Sequence, residues 1–519
     1  MNEIPAKLQR IFWPAALVAI FPAMAWGQFV NITDAAGVAN AGQYSTNLAW
    51  GDYDGDGDVD LYVTNWGAAQ QPPPDRLYRN ELDGSVGVVF ADVSVDLGLT
   101  VASNSTSAAW ADFDNDGDLD LYVADFYEQD FLYQGDGGQS FTEIGRARAM
   151  VNTEKRGSVF SVGWGDYDND GFLDIYLGKY YYDNELYHNT GEGLLEPAAD
   201  LGVGDKRDTN GLTWVDYDND GDLDLYVVNR EQENALFRND LNAELGLFTE
   251  IACALSLANA EIGQAGTWAD YDNDGDLDLY VSNVGGNALY RNDGDAGALH
   301  PREHRFVDVA ADAGVNLLSS GWVTAMAAWG DVNGDGFLDL YLANGADRQY
   351  QPDVLAAGSA SGIFADSTGS AGLPGAASYH LSAAFADVDT NGTPDPYITD
   401  GVGLGNQLYQ NVAEDSLFLR VVVRGKGPAA GGANLYGYGA RVHLIDAVSN
   451  DTVAFQQVLP PMAVPRTVSS GDGTTAGGAE VIFGAPAGPY NVSVLFPGNA
   501  QAGIGPNVRG GDVVVIDEP

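Results

Sequence analysis

Cysteine is all but absent: Cys253 is the only one in 519 residues, so no intrachain disulfide can brace this chain. Positive charge is scarce as well, with 23 Lys and Arg against 74 Asp and Glu and a formal net charge of -51. That imbalance excludes nucleic acid as a partner and disfavours unaided docking on anionic lipid, since both present phosphate to a surface that already repels it. Long apolar runs are missing too. The run Ile11 to Phe21 is too short to span a bilayer, and no other stretch reaches about eighteen apolar residues, so no transmembrane segment is expected. Lys7 and Arg10 precede that run and Ala23-Met24-Ala25 follows it, so residues 1–25 read as a cleaved export signal, with Ala25-Trp26-Gly27 a shifted cleavage site. The expected location is secreted, cell-surface or periplasmic.

What the chain has in abundance is glycine, 66 residues, and aspartate set in a repeat. Seven times an aromatic residue leads into alternating aspartates, a glycine and a short apolar strand, beginning at Trp50, Trp110, Trp164, Trp214, Trp268, Trp329 and Phe385. A period of 50 to 61 residues indicates a ring or stack of supersecondary units. In Asp270-Tyr271-Asp272-Asn273-Asp274-Gly275-Asp276-Leu277-Asp278, positions one, three, five and nine are carboxylates and position six is the glycine of a sharp turn. Oxygen ligands at alternate positions suit a hard cation, and calcium is the usual occupant. Without a cation, five like charges in nine residues repel, so the expected metal is structural. An EF-hand is disfavoured. Position twelve is Val63, Val123, Leu177, Val227, Val281, Leu342 or Ile398 rather than Glu, and strand residues follow instead of a helix.

These residues resemble the FG-GAP or VCBS repeat, whose loops sit in the blades of integrin-α-like β-propellers; the resemblance covers residues 29–411. It implies an all-β, seven-bladed propeller binding up to seven calcium ions. The implied ligands are Asp52, Asp54, Asp56 and Asp60; Asp112, Asp114, Asp116 and Asp120; Asp166, Asp168, Asp170 and Asp174; and Asp216, Asp218, Asp220 and Asp224. Blades five and six would use Asp270, Asp272, Asp274 and Asp278, then Asp331, Asn333, Asp335 and Asp339. In the seventh, Asp387, Asp389, Asn391 and Asp395 surround Thr393-Pro394, and this site is expected to be weakest or empty.

The rest of each unit supplies further strands: Leu-Tyr-Arg-Asn or a relative, as at Leu77 to Asn80, then a Phe-x-x-Val strand, as at Phe306 to Val309. Four short antiparallel strands make a propeller blade. The first Phe-x-x-Ile copy, Phe29 to Ile32, precedes any loop, and none follows the seventh. It is therefore expected to complete the last blade, latching the chain ends and removing exposed strand edges. The six repeat tryptophans are expected to pack between blades.

Residues 412–519 leave the repeat. Leu417 to Val423, Gly437 to Val442, Val481 to Gly484 and Tyr490 to Pro497 read as strands of a small β-sandwich resembling the ASPIC/UnbV domain, which commonly trails VCBS repeats in exported bacterial proteins and in cartilage acidic protein. Gly-Ala-Arg-Val matches that pattern, whereas Phe-Gly-Ala-Pro and Phe496-Pro497 depart from it.

Nothing catalytic is legible. His188 replaces Arg in a Leu-Tyr-Arg-Asn strand, Pro301 separates His300 from His304, and no Gly-x-Ser-x-Gly elbow or phosphate-binding loop occurs. The leading expectation is a non-catalytic adhesion or binding protein with an extracellular glycan or protein ligand. A calcium-dependent polysaccharide lyase and a structural matrix component stay open. Lys155, Arg156, Lys206 and Arg207 precede the loops of blades three and four, and Lys179, Tyr180, Tyr181, Tyr182 and Arg230 follow their second strands. Together they are expected to form a basic, aromatic ligand patch opposite the metal loops.

Overall fold

The computed structural model describes residues 29–67, 71–82, 87–148, 158–192, 195–198, 201–240, 247–294, 305–317, 322–345, 350–375, 377–413, 418–424, 440–447, 452–457, 462–463, 474–475, 478–484, 489–496, 500–502, 508–509 and 513–517. The export signal and the His300/His304 pair lie outside them.

Each repeat folds into one antiparallel sheet whose first two strands flank the acidic loop. Blade one comprises Tyr44–Gly51, Asp60–Trp66, Arg76–Asn80 and Phe90–Asp92, paired in that order. Six more sheets repeat the plan, giving a seven-bladed all-β ring. The last consists of His380–Ala386, Asp395–Asp400, Gln407–Asn411 and, from the opposite end of the chain, Phe29–Asn31. Phe29 faces Asn411 and Asn31 faces Tyr409, the closure expected from the order of motifs. The first strand of each blade packs against those of both neighbours, and Tyr44–Gly51 meets His380–Ala386, so the circle is complete.

Aromatic packing holds the blades side by side. Trp110, Trp164, Trp214 and Trp329 are fully buried. Trp110 stacks on Tyr53 of the preceding blade at 6.2 Å and 12° and meets Tyr62 edge-on. A Cβ on Gly51 would stand 2.8 Å from Trp110 Cδ1, and one on Gly165 equally close to Trp214, so glycine there admits the next tryptophan. Every first strand also carries a bulge. At the bulges Thr46 Oγ1 donates to Ser105 O and Thr106 Oγ1 to Val159 O, both at 2.8 Å, stitching one inner strand to the next.

A second repeated device lies on the side of each blade away from the acidic loop. An Asx residue just before the third strand accepts a backbone N–H from the end of the second: Asp75 from Asn65, Asp130 from Asp125, Asn184 from Lys179, Asn234 from Asn229, Asn287 from Asn283, Asp353 from Asn344 and Asn406 from Asp400. Where the residue is Asp, the second-strand tyrosine donates to it, as Tyr62 does to Asp75. Where it is Asn, that tyrosine turns to a backbone carbonyl, as Tyr280 does to Val315.

Beyond the ring, two four-stranded sheets form the C-terminal unit. One contains Thr474–Thr475, Gly478–Gly484, Phe418–Arg424 and Val513–Asp517; the other contains Thr452–Gln457, Arg441–Asp446, Tyr490–Phe496 and Ala500–Ala502. The strand Met462–Ala463 leaves this unit and adds a fifth strand to the inner edge of blade three, facing Gly163 and Val162.

Asp75 yields a test. Burial lifts its carboxyl to about 7 although Ser105, Asn65 and Tyr62 all donate to it. The folded chain therefore holds a proton that the unfolded chain releases, and stability is lost as pH rises from about 4 to 7. Asp75→Asn, the side chain blades three, four, five and seven already use, is expected to flatten that slope and to stay within about 1.5 kcal/mol of the parent at neutral pH. Denaturant midpoints at several pH values in saturating divalent cation check it.

Candidate metal centres and ligand face

The seven acidic loops occupy one end of the ring, where backbone geometry aims their carboxylates inward. In the fifth loop, Asp270 Oδ1 accepts Asp274 N and Oδ2 accepts Gly275 N, each at 3.0 Å. Asp274 Oδ1 accepts Asp276 N at 3.0 Å. Asp278 receives Tyr271 N on one oxygen and Asn292 N on the other. Gly275, at φ 96°, supplies the left-handed turn that brings the two halves together. Position three differs from these: Asp54 Oδ1 and Asp272 Oδ1 are buried yet accept no hydrogen bond. A buried carboxylate oxygen left in this state fits a cation-binding hollow.

Grouped oxygens recur around the ring. Asp52, Asp54 and Asp60; Asp112, Asp114 and Asp120; and Asp216, Asp218 and Asp224 each bring one oxygen per residue within 4.8 Å of the others. The third loop does so with Asp166, Asp168 and Asp170, and again with Asp168, Asp174 and His188. His188 is an addition to the expected set. Its Nδ1 lies 3.2 Å from Asp174 Oδ1 and 3.5 Å from Asp168 Oδ2, and the hydrogen bond to Asp174 raises the imidazole to about 9. The signal was in the sequence: Arg79, Arg238 and Arg291 each pair with an acid two residues on, whereas Thr190 stands there after His188.

Burial dominates the electrostatics. It lifts Asp52, Asp112, Asp174 and Asp331 to about 7 and Asp270 to about 8, and it raises Asp60, Asp120, Asp224, Asp278, Asp339 and Asp395 well above the usual carboxylate range. Neighbouring aspartates push most of them further in the same direction. In the sixth loop Asn333 keeps the geometry, its Oδ1 accepting Asp335 N. In the seventh, the Asn391 amide donates to Asp389 Oδ2 at 3.0 Å, and Gln410 also bonds that oxygen. The position-three carboxylate there is satisfied from within.

Loops are wired to one another. Asn169 Nδ2 donates to Asp222 Oδ1 and Asn219 Nδ2 to Asp276 Oδ1, while Asn115 and Asn273 reach Gly171 O and Gly336 O. In the other direction, the asparagine ending each Leu-Tyr-x-Asn strand donates to the preceding loop, as Asn239 does to Tyr167 O at 2.7 Å.

The FG-GAP-like repeat matches residues 52–123, 112–177, 167–227, 216–281 and 270–342, together more than half of the chain. The chain belongs to the FG-GAP-like repeat family. It is also similar to cartilage acidic protein 1 of Xenopus tropicalis, at 27% identity over 161 residues, and of Mus musculus, at 28% over 158. Each match covers 29% of this chain and 23% of the relative, so the chain spans under a quarter of the length of these curated relatives. Among solved structures it is similar to YCF48 bound to D1 peptide (TM-score 0.43, 11% identity, 76% of this chain and 99% of that one) and to BBS1N in complex with ARL6DN (0.45, 10%, 75% and 98%).

The expected ligand patch is redrawn. Lys155 and Arg156 lie outside the described residues. Lys179 is buried and pairs with Glu185 at 2.5 Å, and Tyr180 is buried against Phe160, ring centroids 4.7 Å apart, so neither belongs to a surface patch. Both end a second strand, where the fold packs side chains inward. Lys206 is exposed and lies 3.5 Å from Asp183, Arg207 pairs with Asp205 and Arg230 with Glu231. The positive charge is thus locally neutralised. Tyr181 and Tyr182 are exposed, at 73% and 48%. Tyr181 ends an aromatic ladder crossing three blades: Trp66 to Phe126 at 5.1 Å, Phe126 to Phe160 at 6.4 Å, Phe160 to Tyr180, and Tyr180 to Tyr181 at 6.0 Å. Exposed Tyr127 leans on Trp66 at 5.6 Å.

The raised carboxyls fix a pH dependence. In chelator, the folded chain keeps protons that the unfolded chain releases between about pH 4 and 8, so metal-free stability is present at acid pH and is lost as pH rises through the folded values of about 7 to 8. Denaturant midpoints at pH 5 and pH 8 with chelator are expected to be higher at pH 5.

Proposed function

We propose that this chain is an exported, calcium-loaded propeller that binds an extracellular glycan or protein ligand without catalysing a reaction. The observation that carries this reading is the unbonded, buried Asp54 and Asp272 oxygen inside a loop whose first, fifth and ninth carboxylates are held by backbone N–H groups. The first, third, fifth and ninth residues of each loop would hold the ion, which supplies only the charge that lets them ionise together. Site seven is the weakest on this reading, because Asn391 and Gln410 already satisfy Asp389.

Two features support a ligand face at the end away from the loops. Arg441 and Gln457 of the C-terminal unit sit on the fourth loop, and Met462–Ala463 lines the inner edge of blade three, so the chain covers part of its own metal end. The opposite end carries the aromatic ladder with Tyr127, Tyr181 and Tyr182 exposed. Stacking on those rings, rather than attraction to the paired lysines and arginines, is the stronger source of affinity. Geometry also supports a non-catalytic reading. Ser378 Oγ and Asp353 Oδ2 both approach Nδ1 of buried His380, so the three do not form a proton relay.

Calorimetry with calcium is expected to show several bound ions, and chelation at pH 8 to lower the melting temperature by about 10 °C or more, since each site at tenfold excess adds about 1.4 kcal/mol. An unmoved melting curve with no metal in elemental analysis would sink the reading. On a glycan and protein array in calcium, Tyr181→Ala combined with Tyr182→Ala is expected to weaken capture at least about tenfold, a loss of about 1.4 kcal/mol, with unchanged melting.

A further inference from the structure

Loop four carries a contact that reaches beyond the ring. Arg441 begins the strand Arg441–Asp446, Gln457 ends the strand Thr452–Gln457, and the two stand opposite each other in register. Both reach the same loop. Arg441 Nη1 donates to Asn219 Oδ1 at 2.9 Å and lies 3.6 Å from Asp216 Oδ2, while Asp216 N donates to Gln457 Oε1 at 3.3 Å. Arg441 is 8% exposed, Gln457 7% and Asp216 3%, so bulk salt does little to screen the charges that meet here.

We infer that the fourth loop is a calcium-sensitive latch for the C-terminal unit, in which the Arg441 guanidinium and a calcium ion compete for Asp216. This rests on the calcium reading above. A cation brought onto Asp216 enters beside a fixed positive charge, and in a buried pocket that repulsion is strong. Linkage makes the effect reciprocal: whatever affinity Arg441 removes from calcium, calcium removes from docking. Loop four therefore binds metal more weakly than it would without Arg441, and filling it loosens the domain contact.

The consequences extend in two directions. Asn219 is shared, its oxygen held by Arg441 and its amide by Asp276 of loop five, so a change at the latch is felt by the neighbouring loop. The docked unit also contributes Met462–Ala463, which pairs with Val162 and Gly163 and runs close to the first strands of blades one, two and four. Release of the latch frees the unit that holds this strand on the inner edge of the ring.

The test uses the full chain. Calcium calorimetry, read with terbium luminescence, is expected to show that Arg441→Gln tightens one site about tenfold and leaves the others in place, while Arg441→Lys, which keeps the charge, leaves that site weak. Intramolecular cross-linking between the C-terminal unit and blade four is expected to fall in the parent as calcium rises through the range of the weak site. In Asp216→Asn it is expected not to respond. If calcium binds but Arg441→Gln leaves every site unchanged, or weakens one, the latch is overturned. If no calcium binds to the parent at all, it is the calcium reading that fails.

Discussion

Everything in this ring depends on how buried negative charge is balanced. Each loop gathers carboxylates where water is scarce, and burial raises them far enough that several titrate near neutrality, as Asp270 does at about 8. Backbone N–H groups provide part of the balance by bonding positions one, five and nine, and nothing bonds Asp272 Oδ1 at position three. Without metal, protons must supply the remainder. A divalent cation would do the same at higher pH and would hold both ends of the loop at once. The single cysteine leaves no intrachain disulfide to share that work.

The balance is not confined to one blade. Asn219 joins loop four to loop five, Asn239 joins blade four back to loop three, and Trp214 closes the apolar gap between the same two blades. Polar and apolar ties thus run in parallel across each interface. The glycines at positions 51 and 165 belong to this arrangement, since a larger side chain would strike the indole of the next blade. A loop that loses its shape therefore disturbs two neighbours, and the closing strand Phe29–Asn31 makes the disturbance circular rather than terminal.

Features that repeat within a few residues were legible in the sequence. The acidic loop, the strand after it, the aromatic residue before it and the closing Phe29 strand all follow from local patterns that recur around the ring. Lys179 shows where local reading failed. Its slot is Asn65, Asn229, Asn283 or Asn344 in other blades, a buried polar position, and the lysine fills it only because Glu185 lies beside it. Aligning the blades residue by residue would have exposed that, and would equally have found the Asx device, which precedes the third strand in every copy. The meeting of Arg441 with Asp216 had no such signal. It joins residues 225 positions apart across two folding units, and no periodicity encodes it.

The two ends of the ring are therefore unequal for a physical reason. At the loop end, burial and like charge create a demand for cations, which Arg441 meets in blade four and His188 in blade three. At the other end, each described cation of the expected patch has an acid beside it, and Tyr127, Tyr181 and Tyr182 are left as exposed ring surface. A ligand approaching the loop end would compete with the chain's own C-terminal unit. One approaching the aromatic end would meet Tyr127 and Tyr181 already held against neighbouring rings, so little of their side-chain freedom would be lost on contact.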